Sequence, residues 1–237
     1  MGSRNFHFKQ FSISDAESAM KINSDSVLLG IWIKENVKRV LDIGTGCGVL
    51  AFILAFKSSA TFDAIDIDAG SCQQAEKNVN SLNLRGRIRI VNLSLQDYVK
   101  SSREKYDLIV CNPPFFIDSQ RSPDKSRNIS KHNQNLGFDE LTDGVAKLLN
   151  KDGKFYTIIA YNSFEKLKEA ACLVSLGIEK LLLIKPKPDK VYSRVLACFS
   201  FNADKSIRKE ELIIRNIDNN FTEAYKAFVK NYYEKEF

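Results

Sequence analysis

The sequence predicts an α/β fold: a seven-stranded, mostly parallel sheet with helices on both faces. Two observations carry that expectation. Apolar, β-branched runs of strand length alternate with helix-length segments from residue 39 to 176. Such alternation implies crossover connections, which set neighbouring strands parallel. The stretches richest in chemistry, at Asp42, Asp66 and Asn112, all fall where a strand stops. In a parallel sheet those are the carboxyl ends, where ligand crevices form.

The 237 residues suit a single domain over 1–237. Within it, 1–37 reads as an N-terminal arm and helix over the crevice, and 38–237 as the core with a C-terminal strand–helix extension. With 44% hydrophobic and 27% charged residues, the composition excludes disordered and fibrous classes. No apolar run approaches the roughly 18 residues of a membrane span, and the N-terminus lacks the apolar centre of a signal peptide. The expectation is a cytoplasmic protein without a membrane partner, and nothing in the apolar segments demands a second copy, so a monomer is expected. Five scattered cysteines without a CxxC pair, and only two histidines, argue against a metal site. The net charge of +6 is compatible with a nucleic-acid partner held through its phosphates.

In chain order, residues 6–14 alternate apolar and polar and predict a strand or short hairpin arm. Ser24 or Asp25 caps a helix reaching about Val37, with Val27, Leu28, Ile31 and Trp32 on one face. Central strands follow at 39–43, 61–67, 87–91, 106–111 and 154–159, then closing strands at 178–185 and 192–201. Helices are predicted over 47–57, 69–82, 138–149 and 164–176. A short strand at 212–215 and a helix at 222–233 form the tail.

The first strand runs into Asp42-Ile43-Gly44-Thr45-Gly46-Cys47-Gly48. Glycines permit a sharp turn and let a ligand touch backbone. A pyrophosphate site prefers G-x-G-x-x-G at a helix start. Here the spacing is G-x-G-x-G, with an acid two residues before it that would repel a pyrophosphate and attract an ammonium. Asp66, 24 residues after Asp42, can accept from both hydroxyls of a ribose. Asp97, in Ser94-Leu95-Gln96-Asp97, can accept from an adenine amine or simply cap a turn. An amine, a ribose and an adenine without phosphate describe S-adenosylmethionine.

The fourth strand ends in Asn112-Pro113-Pro114-Phe115. Two prolines break the ladder and fix a rigid corner. Asn offers a carboxamide and Phe a flat face, which together suit a planar NH2 group. The plain alternative is a stiff strand exit with no chemistry.

The glycine segment resembles motif I of the class I S-adenosylmethionine-dependent methyltransferases, which share a Rossmann-like fold. The second segment resembles their amino-methylating (D/N)PP(Y/F) signature. Among these the chain looks most like the bacterial tRNA1(Val) (adenine-37-N6)-methyltransferase family. Phe8-Lys9-Gln10-Phe11, Ala19-Met20-Lys21-Ile22, Val27-Leu28-Leu29-Gly30 and Lys185-Pro186-Lys187-Pro188 add to the likeness, which is patchy after residue 116.

The resemblance implies that Gly44, Gly46 and Gly48 line the cofactor, with Asp42 near its methionine end, Asp66 at the ribose and Asp97 at the adenine. Lys21 and Asp25 would cover it from the N-terminal side, and Asn112 would touch it as well. Asn112 and the Pro113 carbonyl would accept the two N–H bonds of the substrate amine, and Phe115 would stack on the base. The substrate would be tRNA, contacted by Pro114, Phe116 and the polar loop residues Arg121, Arg127 and His132. A second basic cluster, Lys185, Lys187, Lys190 and Arg194, is expected at the far end of the sheet, with Lys187 and Arg194 as further contacts to the RNA.

The Asn-Pro-Pro corner alone serves other planar amines equally well. A guanine N2 amine in rRNA and a protein glutamine amide therefore stay open. A non-catalytic RNA-binding factor on the same fold is the rival from outside the enzymes.

Overall fold

A computed structural model describes residues 5–113, 136–204 and 206–233. The arm is a hairpin of β1 (Asn5–His7) and β2 (Ser12–Ser14). Helix α1 (Ser24–Trp32) leads into the alternating core. That core runs β3 (Arg39–Ile43), α2 (Val49–Phe56), β4 (Thr61–Asp66), α3 (Ala69–Ser81) and β5 (Ile88–Asn92). It continues through α4 (Leu95–Ser101), β6 (Tyr106–Cys111), α5 (Phe138–Leu148) and β7 (Leu149–Ala160). After α6 (Phe164–Leu173) come β8 (Gly177–Lys185), β9 (Arg194–Ser200), β10 (Arg208–Ile213) and α7 (Glu223–Val229).

The sheet has eight strands in the order β10-β8-β9-β7-β6-β3-β4-β5. Seven were expected; the eighth is β10, which begins earlier than the predicted tail strand and pairs parallel with β8. Only β9 runs against its neighbours, β7 and β8. The fold class is therefore as the alternation predicts, an α/β sheet of mostly parallel strands.

Side chains alternate across the pleat and divide the core in two. Val40, Leu108 and Val110 face the layer of α1, α2 and the arm. Leu41, Ile43, Ile109 and Cys111 face the layer of α4, α5 and α6. The chain winds from β3 outward to β5 and then returns to place β6 on the other side of β3. Connections leave β3 and β6 towards opposite faces, so a crevice opens between their carboxyl ends.

Two helix ends depart clearly from expectation, and one helix was not expected. Helix α1 stops at Trp32 rather than near Val37. The Lys57 ammonium donates to the carbonyls of Gly30 and Ile33 and caps the helix there. Helix α4 was not predicted as a helix; Ser94 starts it by accepting from the Asp97 N–H at 3.1 Å. Helix α7 ends at Val229 because the next residues turn to the arm: Lys9 N–H donates to Tyr232 O at 2.9 Å and Phe8 bridges Tyr233. Among the described residues, no helix is long and apolar enough to cross a membrane.

Candidate active site

The loop after β3 turns through Gly44, Gly46 and Gly48, with φ of 70°, 57° and 91°. These left-handed values strain any residue with a Cβ. Two of the glycines differ in what surrounds them. A Cβ on Gly48 would meet the Phe52 ring at 2.5 Å, whereas one on Gly44 would meet nothing within 4 Å. Gly48 thus serves packing under the loop, and Gly44 leaves its backbone open to the cleft.

The loop is tied to β4. Gly44 and Thr45 N–H groups share the Ile65 carbonyl at 2.9 and 3.0 Å. Asp66 Oδ2 accepts from Gly46 N–H at 2.8 Å, and its Oδ1 from Asp68 N–H at 2.9 Å. Each oxygen has a further lone pair for a ligand hydroxyl. Burial raises the Asp66 carboxyl pKa, against the opposing pull of those N–H groups. Asp42 lies deeper, with 1% of its surface exposed, and accepts from Thr45 Oγ1 at 2.7 Å. Burial pushes its pKa up to about 7, and the Asp66 charge adds to the rise. Asp42 therefore supports the loop from beneath, through its hydrogen bond with Thr45.

Asp97 is on the exposed first turn of α4, where it accepts from Ser94 Oγ at 2.8 Å and pairs with Lys100 at 3.0 Å. Ser94 is the cap of this helix, and the Asp97 carboxylate holds the Ser94 hydroxyl in place. Ile67, directly after Asp66, is 57% exposed and was missed by sequence reading. Its signal was an apolar residue placed past the strand end, between two acids. An open glycine backbone, flanking acids and an apolar platform match an ammonium, a ribose and an adenine. These residues fit S-adenosylmethionine.

The arm does lie beside this loop. Asn78 Nδ2 donates to both Ser14 O and Cys47 O, at 2.8 and 2.9 Å. Lys21, the residue expected to cover the cofactor, donates its ammonium to Asp15 O and Ala16 O at 2.6 and 3.1 Å. Its charge closes the turn that carries the arm into α1. Asp25 is buried on α1 and accepts from Arg194 Nε at 2.9 Å. Two residues expected at different ligands are thus brought together.

Asn112 stands at the end of β6, beside the glycine loop, with Pro113 buried after it. Its Nδ2 donates to Ser26 Oγ at 2.8 Å and faces Asn23 Oδ1 at 3.4 Å. Neither α1 residue was singled out from the sequence. Pro114, Phe115, Phe116, Arg121, Arg127 and His132 lie outside the described residues.

The second basic cluster is not remote from the site. β8 runs parallel to β7, so Lys185 and Lys187 follow a carboxyl end on the same edge as Asn112. Lys185 Nζ is 4.8 Å from the Tyr192 ring and 3.6 Å from Glu211. Tyr192 in turn lies 5.2 Å from Tyr161, a half-exposed ring just past β7. These tyrosines were also missed, because only the register of β7 and β9 brings them together.

Residues 15–170 match the model of the methyltransferase small domain family. The tRNA1(Val) (adenine(37)-N6)-methyltransferase of Bacteroides thetaiotaomicron is 38% identical over 231 residues, 96% of each chain. That of Parabacteroides distasonis is 36% identical over 97% of this chain and 98% of its own. Among solved structures, a predicted O-methyltransferase from Agrobacterium tumefaciens superposes with a TM-score of 0.68 at 17% identity, covering 87% of this chain and 96% of that one. A Thermus thermophilus 16S rRNA N2 methyltransferase in complex with AdoMet and guanosine gives 0.59 at 17% identity, over 84% of this chain and 50% of that one. At such identities the two structures speak for the fold.

Proposed function

The chain belongs to the methyltransferase small domain family and, within it, to the tRNA1(Val) (adenine(37)-N6)-methyltransferases, and from that membership we propose how its cleft works. It is an S-adenosylmethionine-dependent enzyme that methylates the exocyclic N6 amine of an adenine in tRNA. We take the target to be adenine 37 in the anticodon loop of a valine tRNA, as the relatives' name states for them.

S-adenosylmethionine supplies an electrophilic methyl group on a sulfonium. The residues proposed to hold it are Gly44, Gly46 and Gly48 along the loop, Asp66 at the ribose and Ile67 against the adenine face. Asp42 braces the loop from below, near the methionine end, through Thr45. Asp97 stands at the adenine end, where its first-turn position and capping bonds leave an oxygen lone pair available.

The N6 nitrogen of adenine is a weak nucleophile because its lone pair is shared with the ring. Asn112 Oδ1 accepts one of its N–H bonds and the Pro113 carbonyl accepts the other. Both acceptors favour a nitrogen whose lone pair is localised and directed out of the ring plane. The contribution is positioning and electrostatics. The amine becomes acidic on alkylation, so its proton can pass to solvent without a dedicated base. The family resemblance assigns Phe115, outside the described residues, to stacking on the extruded base, and an unpaired loop adenine is extruded at low cost.

The edge beyond β7 and β8 is proposed to receive the rest of the anticodon arm. Tyr161 offers a face for a neighbouring unpaired base, while Lys185, Lys187 and Lys190 offer charge to phosphates. Residues 1–237 are taken as one domain, which is supported by arm residues Phe8, Phe11 and Ile13 entering the same core as α1 and α2.

One observation carries the proposal: Asn112 follows β6, in register beside the strand that ends in the glycine loop. Incubation with labelled S-adenosylmethionine and bulk tRNA, rRNA and protein tests it. Nucleoside analysis should find N6-methyladenosine in tRNA. Label in N2-methylguanosine of rRNA, or only in protein, would overturn it.

A further inference from the structure

The side-chain amide of Asn112 has two ends, and only one can accept from an amine. Its orientation follows from a chain of hydrogen bonds that begins at a group with no ambiguity. The backbone N–H of Ser26 can only donate, and it donates to the side chain of Asn23 at 3.2 Å. The Asn23 atom there is therefore the oxygen, Oδ1, which caps α1. That same oxygen faces Asn112 at 3.4 Å, which requires the Asn112 NH2 on that side. Ser26 Oγ, buried, lies 2.8 Å from the same nitrogen and accepts its second proton. Asn112 Oδ1 is thereby turned away from α1.

We propose that Asn23 and Ser26 are positioning residues that hold the Asn112 amide with its oxygen towards the substrate amine. The proposal rests on the reading that Asn112 Oδ1 accepts from that amine. Without the relay the amide can rotate and present N–H to N–H, which removes the acceptor and adds repulsion. The two residues touch neither substrate nor cofactor in this role. They act through Asn112 and are 89 and 86 positions from it in sequence.

The test separates orientation from helix stability. Asn23→Ser keeps a capping hydroxyl but ends one bond too soon to reach Asn112. Ser26→Ala removes the acceptor and improves intrinsic helix propensity. Each should lower kcat by about tenfold, with KM for tRNA and cofactor Kd within about twofold. Asn23→Asp keeps an oxygen for both bonds and should restore kcat. Unchanged kcat in Asn23→Ser and Ser26→Ala, or a loss that Asn23→Asp does not restore, would overturn the relay. Asn112→Ala in the same assay distinguishes the two levels. Activity retained there defeats the reading of Asn112 itself; activity lost there but kept in the α1 variants defeats the relay alone.

Discussion

Arg194 Nε lies 2.9 Å from Asp25 Oδ2, joining β9 to the first turn of α1 across 169 positions of sequence. The carboxylate is 10% exposed and the guanidinium 30%. A charge so placed is costly to leave without its partner. The pair also fixes α1 over the crevice, because Ser26, the residue next to Asp25, is the one that holds Asn112.

Arg194→Ala should therefore act on stability more than on RNA affinity. The expected cost is about 2 kcal/mol, below the range for fully buried pairs because the guanidinium is partly hydrated. The slope of log K against log salt for tRNA binding should stay near that of the wild type. Lys187→Ala should do the reverse, leaving the melting temperature unchanged and reducing the slope by about 0.7–0.9. A large loss of slope in Arg194→Ala would show that its charge reaches phosphate directly.

The buried Asp42 carboxyl gives a pH signature. Its pKa rises from 3.8 to about 7, so the folded state holds a proton that the unfolded state releases. That contribution to stability is complete below the unfolded value and is lost as pH rises through about 7. Asp42→Asn has no proton to lose. Its melting temperature relative to the wild type should be higher at pH 8 than at pH 5. Thermal melts at both values check this, and a difference that falls with pH would contradict it.

The two glycines of the loop should separate binding from folding. Gly44→Ala places a methyl group in open space at a φ of 70°. The strain costs about 1–2 kcal/mol, and the methyl group stands where the cofactor meets the backbone. We expect a cofactor Kd raised at least about tenfold in a protein that still melts cooperatively. Gly48→Ala drives its methyl group into the Phe52 ring and should lose more stability than Gly44→Ala. Calorimetric titration and melting of the pair settle the comparison. Equal cofactor affinity in Gly44→Ala and wild type would remove Gly44 from the site.

The central strands and the crevice were legible because buried parallel strands are written as continuous apolar runs, and glycines and prolines punctuate their ends. Ser94-x-x-Asp97 carried a readable cap, but the seven-residue helix after it is too short and polar to show a period. The end of α1 was illegible for a different reason. It is set by Lys57, the residue that ends α2, 24 positions beyond Ile33. Lys21 shows the limit for site residues. Its ammonium is held by the Asp15 and Ala16 carbonyls, partners that no spacing in the sequence announces. Asn23, Ser26 and Tyr161 acquire meaning only once the register of β6 with β3, and of β7 with β9, is fixed.

The most direct test of the account is single-turnover methylation by Asn112→Ala, with cofactor affinity measured alongside. Formation of N6-methyladenosine in tRNA should fall by about 10²–10³-fold while cofactor Kd changes little, because the lost acceptor acts on the amine at the moment of attack. Undiminished transfer by a variant that still binds the cofactor would contradict it.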